Sequence, residues 1–205
     1  MQPCGGGVTL EGMHTAYIGM GANLPSRAGP PEATLAAAAE RLEKLGRVMA
    51  RSSLYSTAPV GLAEQPRFLN AVVALETRLT PRALLEGLLA VEKEFGRDRT
   101  AGIANGPRTL DLDLLLLGDL VVSGYELEIP HPRLAERAFV LIPLLEVAPE
   151  ARDPRTGRSV SQLLMNLTPV PNDPIHAVFP LESNLWRAGA VGVGKRKRHR
   201  ADDCA

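Results

Sequence analysis

Cysteine is nearly absent. Cys4 and Cys204 are the only two in 205 residues, one near each end. No C-x-x-C pair or Cys/His cluster exists, which argues against a zinc site and against a disulfide framework. Net charge is also missing: Lys+Arg and Asp+Glu balance at 23 each, so the chain as a whole gives no electrostatic reason for a nucleic-acid or membrane partner. No apolar run approaches the ~18 residues that a membrane span requires. The opening "MQPCGGGVTLEGMH" has neither a basic start nor an apolar stretch, so it does not read as a signal peptide. A cytoplasmic location is the expectation. What remains is ordinary: 45% hydrophobic and 22% charged residues, with length for one domain and a substantial core.

The core is expected to span 15–168. A flexible Gly-rich leader, 1–14, precedes it. Behind it, 169–205 is rich in Pro and Gly, then basic, lacks amphipathic period, and is expected to be disordered. Inside the core, "TAYIGMG" reads as a strand closed by glycine. "PPEATLAAAAERLEKLG" reads as a helix with Pro31 in its first turn and Gly46 at its end. "RVMARSSLY" and "FLNAVVALETRL" read as two strands. "TPRALLEGLLAVEKEFG" is a second helix, capped by Thr80 and stopped by Gly96. After a polar loop comes "RTLDLDLLLLGD", a strand. The order β-α-β-β-α-β predicts an α+β, ferredoxin-like fold: an antiparallel sheet with helices on one face, plus short C-terminal elements.

That last strand opens with two acids. Alternation puts Asp111 and Asp113 on one face and Leu110, Leu112 and Leu114 on the other. Two buried carboxylates side by side are costly without positive charge nearby. Such a pair suits Mg²⁺, which binds through one or two carboxylates plus substrate phosphates. A bare D-x-D also describes a solvated strand, but Arg97, Arg99 and Arg108 lie one loop upstream. Acids for a cation beside guanidinium forks for an anion form a polyphosphate site. Glu92 shares the apolar stripe of the second helix. His131 lies between two prolines, close to Arg133 and Arg137. Asn70 interrupts an apolar strand and can read the edge of a heterocycle, with Phe68 and Phe139 as flat faces for stacking or as core. Two glycine motifs are decoys. "GAVGVGKR" has Arg where a P-loop needs Ser/Thr, and "GMGANL" lacks the third glycine of a dinucleotide fingerprint.

"GPRTLDLDLLLLG", with "SSLYSTAPVG", "QPRFLNAVVALET" and "IPHPRLAERAFVLIPLLEVAP", resembles the 6-hydroxymethyl-7,8-dihydropterin pyrophosphokinase family over about 15–168. The resemblance implies diphosphate transfer from ATP, as co-substrate, to the hydroxymethyl group of a reduced pterin, with AMP released, in folate biosynthesis. It implies that Asp111 and Asp113 hold two Mg²⁺ ions and act, with Arg97 and Arg99, as the catalytic set. Glu92, Arg108, His131 and Arg137 would bind ATP. Gly21, Asn23, Thr57, Pro59, Val60 and Asn70 would shape the pterin pocket, and Phe68 and Phe139 would sandwich the ring. A monomer is expected. The chain departs from the family pattern at Asn105, where Trp is usual, at Ala58, where a second Pro is common, and at Pro132, where an aromatic is frequent. Two alternatives stay open. A metal-dependent phosphodiesterase would need no pterin. A nucleic-acid-binding role would act weakly through Lys195 to Arg200, "KRKRHR".

Overall fold

The computed structural model describes residues 12–59, 64–98, 106–167 and 178–188. Its core elements are β1 (His14–Ala22), α1 (Pro31–Leu42), β2 (Arg47–Arg51), β3 (Leu54–Thr57), β4 (Phe68–Thr77), α2 (Pro81–Glu94) and β5 (Asp111–Leu117). Both helices begin with proline at a position whose N–H has no helical partner in any case. Thr80 caps α2 by accepting the Ala83 N–H at 3.3 Å. Gly96, at φ +84°, ends it in the left-handed region where a side chain is strained. α1 stops at Leu42 rather than at the predicted Gly46.

The sheet is antiparallel, in the order β5-β1-β4-β3, with β2 beside β3 along the same edge of β4. This is the fourth–first–third–second order of a ferredoxin-like sheet, with the second strand broken in two. The break falls at Ser52, which is buried. Its N–H donates to the Val72 carbonyl at 2.9 Å and its Oγ accepts the Val72 N–H at 2.9 Å. The hydroxyl thus takes over one rung of the ladder.

The leucine run of β5 serves two cores because it contains a bulge. Tyr17 pairs with Leu116 and Ile18 with Leu114, leaving Leu115 as the extra residue. Leu110, Leu112, Leu114 and Leu117 join the cluster under α1 and α2. Leu115 and Leu116 join Val72, Leu134, Val140, Leu141 and Leu144 on the other face. The two core helices share one face, as expected, and the short C-terminal elements lie on the other. A 3₁₀ turn (Leu134–Glu136), α3 (Ala138–Val147) and α4 (Val160–Met165) cover part of the second face. The sequence of α3, "AFVLIPLLEV", is too apolar to stay in solvent. A two-stranded hairpin, β6 (Val122–Ser123) and β7 (Glu128–Ile129), stands off the sheet after β5.

Part of 169–205, expected to be disordered, is described: residues 178–188. Within this segment, β8 (Val178–Leu181) adds to the outer edge of β3, and α5 (Asn184–Ala188) follows it. Trp186 is 3% exposed and belongs to the main core. The rest of this segment, Lys195 to Arg200 included, lies outside the described residues, as does the leader up to residue 11.

Candidate active site

Two rows cross the sheet on the face that α3 covers only in part. Asp111 on β5 lies beside Gly21 on β1, which lies beside Asn70 on β4. One step along, Asp113 lies beside Gly19, which lies beside Val72. The central strand thus presents glycine at every second position between an acidic strand and an amide-bearing one. A Cβ on Gly21 would stand 3.2 Å from Asn70 Oδ1 and 3.9 Å from Asp111 Cβ. Glycine there keeps the floor low.

Above this floor is a cavity of about 260 Å³. Asp111, Asp113, Arg108, Arg133, Arg137 and His131 line it, together with Gly21, Thr57, Phe68, Asn70 and Phe139. Asn70 Nδ2 donates to Thr57 Oγ1 at 2.7 Å, which fixes the amide orientation and leaves its carbonyl oxygen toward Gly21. Each aromatic ring lies under a guanidinium: Arg108 is 5.3 Å from the Phe68 centroid and Arg137 is 5.6 Å from that of Phe139. These contacts hold cations at the ring faces.

The carboxylates are bound to arginine. Asp111 accepts Arg108 at 2.7 Å and Arg97 at 3.1 Å, and all three side chains are about four-fifths buried. Asp113 faces Arg137 at 3.8 Å. Burial, and then Arg133, push the Arg137 guanidinium below its ordinary value, while Asp113 and Asp111 oppose them. His131 feels the same positive surroundings. Desolvation, then Arg137 and Arg133, lower its pKa to about 4, so the ring is neutral near pH 7. Its Nδ1 accepts the Arg133 N–H at 3.1 Å, which leaves the proton on Nε2 as a donor. Its backbone N–H donates to the carbonyl of the bulge residue Leu115 at 2.9 Å, tying His131 to the acidic strand.

Two predicted site residues stand behind the wall rather than in it. Asn23, 2% exposed, accepts the Arg108 N–H at 2.7 Å and donates to Gln65 Oε1 and the Pro66 carbonyl, each at 3.0 Å. It clips the strand carrying Gly21 to the segment carrying Arg108. Glu92, 1% exposed, accepts the Leu112 N–H at 2.8 Å. It holds the backbone between the two acids. Pro59 is half-buried and does not reach the cavity wall. Val60 and Arg99 lie outside the described residues, as does Asn105. Gly19 and Ala58 line the cavity without having been named as site residues, and Arg133, noted beside His131, lines it too. For Gly19 the signal was present: "IGMG" places glycines two apart in a strand, hence on one face.

A second groove of about 410 Å³ adjoins the first. It runs between α2 and the β6–β7 hairpin and shares Asp113 and His131 with the cavity. Leu85, Leu89, Leu112 and Leu114 give it apolar walls, and Tyr125 stands fully exposed beside it. The two acids fit Mg²⁺ by donor chemistry: two hard oxygens on one face, with room for substrate phosphates to complete the shell. Among the described residues no third carboxylate, histidine or cysteine joins them, so any ion held here would share its shell with a ligand.

The family model for 7,8-dihydro-6-hydroxymethylpterin-pyrophosphokinase matches residues 17–149. The chain belongs to this family. The 2-amino-4-hydroxy-6-hydroxymethyldihydropteridine pyrophosphokinase of Pseudomonas aeruginosa is 44% identical over 150 residues, covering 72% of this chain and 88% of the relative. The enzyme of the same name from Synechocystis sp. is 40% identical over 180 residues, covering 87% and 86%. The crystal structure of wild-type Plasmodium falciparum HPPK-DHPS superposes with a TM-score of 0.59 at 14% identity, over 75% of this chain and 44% of that one. That likeness speaks for the fold. The matched span, 17–149, holds every described candidate site residue discussed above.

Proposed function

We propose that this protein transfers the terminal diphosphate of ATP to the hydroxymethyl group of 6-hydroxymethyl-7,8-dihydropterin, a step in folate synthesis. The hydroxymethyl oxygen bonds to the β-phosphorus of ATP. The bond from that phosphorus to the α,β-bridging oxygen breaks, AMP leaves, and the hydroxyl proton is released. One observation carries the reading. A single cavity combines paired acids and arginines with a fixed amide and two aromatic faces, and it shares Asp113 and His131 with a second groove whose leucine walls are edged by Arg82, Glu86, Glu126 and Glu128. The first half suits a pterin joined to phosphates, the second a nucleoside.

Diphosphoryl transfer asks for positioning and charge stabilisation more than for covalent chemistry. Asn70 and Thr57 offer a polar edge to the heterocycle, and Phe68 and Phe139 offer stacking faces. Arg108 and Arg137, already turned toward the acids, meet a triphosphate at the same place. Arg97 and Arg99 join them in this reading. Neutral His131 donates from Nε2 to a phosphate oxygen without competing as a base. Asp111 and Asp113 would hold Mg²⁺, which supplies the charge that lets two carboxylates and a triphosphate share one pocket. Glu92 and Asn23 act by fixing the backbone that carries these groups. A monomer acting in the cytoplasm goes with this reading. Among the described residues no helix is long and apolar enough to cross a membrane. Neither the phosphodiesterase nor the nucleic-acid alternative finds support in the family match or in the Pseudomonas aeruginosa and Synechocystis relatives, which bear the pyrophosphokinase name.

The test is AMP formation from ATP. It is expected to require both the pterin and Mg²⁺, and to fall at least about 10³-fold in Asp111→Ala or Asp113→Ala. Pterin-independent hydrolysis at the wild-type rate, or variants within a few-fold of wild type, would overturn the reading.

A further inference from the structure

The family match ends at residue 149, yet residues 178–188 are built into the domain. Without β8, β3 is a four-residue strand paired on one side alone, and it carries Thr57 and leads to Ala58 in the cavity wall. Short edge strands open readily. β8 closes that edge along its full length, from Leu54 opposite Leu181 to Thr57 opposite Val178.

Two chains of contacts lead from this segment to the cavity. In the first, the Trp186 indole N–H donates to the Ser52 carbonyl at 2.6 Å, and Ser52 in turn exchanges both hydrogen bonds with Val72, a cavity residue. Trp186 is held by the Arg51 guanidinium, 5.5 Å from its ring, and by Ser183, whose Oγ accepts the Trp186 N–H at 3.0 Å and is bonded to Glu32 on α1. In the second, Phe179 lies under Arg67, at 5.5 Å, and Arg67 donates to Ser56 Oγ at 2.9 Å and to the Ser56 carbonyl at 3.1 Å. Ser56 precedes Thr57, which receives the Asn70 amide. Arg67 also follows Gln65 and Pro66, which hold Asn23.

We infer that residues 178–188 form a strap, anchored by Trp186, that positions the Thr57–Asn70 side of the cavity for the heterocycle. This rests on the pterin reading of that side. Trp186 and Phe179 are positioning residues: neither lines the cavity. The strap adds to the sheet edge across from the acidic strand, so its loss is expected to weaken the heterocycle more than the nucleotide.

The experiment uses the full chain with Trp186→Ala, Trp186→Phe and Phe179→Ala. Phe179 is 56% exposed, so its replacement carries little folding burden. The pterin KM is expected to rise about five- to tenfold in W186A and about threefold in F179A, with kcat and the ATP KM within about twofold. W186F, which keeps the ring packing, is expected to recover most of the loss. Trp186 is the only tryptophan, so its emission reports directly whether the strap is docked. Amide exchange at Ser56 and Thr57 is expected to quicken in W186A. A pterin KM unchanged in both alanine variants overturns the inference, and so does an equal loss in the ATP KM. Should wild type show no pterin turnover, the functional reading fails by itself. Exchange at Ser56 and Thr57 then judges the strap: faster in W186A supports it, unchanged overturns it.

Discussion

Acidification probes the ring of arginines around His131. In an unfolded chain this imidazole titrates at 6.5, and in the folded protein burial, Arg137 and Arg133 hold it near 4. Above 6.5 neither state binds the proton, and the site contributes nothing to the pH slope. Between 6.5 and about 4 the unfolded chain takes up a proton that the folded one refuses, so stability falls as pH falls. At about 1.36 kcal/mol per pH unit the full gap amounts to at most about 3.4 kcal/mol. The ring is only partly buried, and solvent screening brings the expectation to about 1–2 kcal/mol. His131→Asn removes the titration while keeping an acceptor for the Arg133 N–H. Urea unfolding of wild type and H131N across this window isolates the difference from all other titrating groups. The stability gap between the two is expected to shift in favour of the variant by about 1–2 kcal/mol toward the acid end. A gap that stays constant across the window would refute the reasoning. So would an assigned imidazole midpoint near 6.5, because neither burial nor the guanidinium field would then act on the ring.

Two further outcomes test the scaffold of the site. Gly21→Val places a Cβ 3.2 Å from Asn70 Oδ1 and pushes methyl groups into the cavity. Overpacking of this kind costs about 1–3 kcal/mol, so steady-state kinetics are expected to show a pterin KM raised about 5- to 150-fold with the ATP KM nearly unchanged. Glu92→Ala orphans the buried Leu112 N–H and is expected to lower urea stability by about 1–3 kcal/mol, whereas Glu92→Gln, which keeps an acceptor oxygen, is expected to lose less.

The split core was legible because its signals are local. Pro31, Thr80, Pro81 and Gly96 mark helix ends whatever surrounds them, and the alternation through Asp111 and Asp113 is a property of one strand. Where reading along the chain fell short, the missing information was always a partner distant in sequence. Ser52 and Ser53 look like the middle of one strand; only Val72, across the sheet, reveals that the Ser52 hydroxyl replaces a rung and breaks it. Four consecutive leucines carry no alternation, so the bulge at Leu115, which sends neighbours to opposite cores, is invisible without the register against Tyr17 and Ile18.

The same limit governs the site. A polar residue in an apolar setting signals a buried partner, but the signal does not say whether that partner is a ligand or a backbone group. Asn70 and Asp111 answer to the cavity, while Asn23 and Glu92 answer to the N–H groups of Arg108 and Leu112. A buried backbone donor costs as much to abandon as a ligand does to misplace, so both needs select the same residue types. Trp186 shows the complementary case. A four-residue strand and a five-residue helix are too short to display a period, so "VFPLESNLWRA" carries no periodic signal. Its clue was composition alone: a tryptophan, with Val178, Phe179, Leu181 and Leu185 near it, is costly to leave exposed, and the groove beside Ser52 buries it.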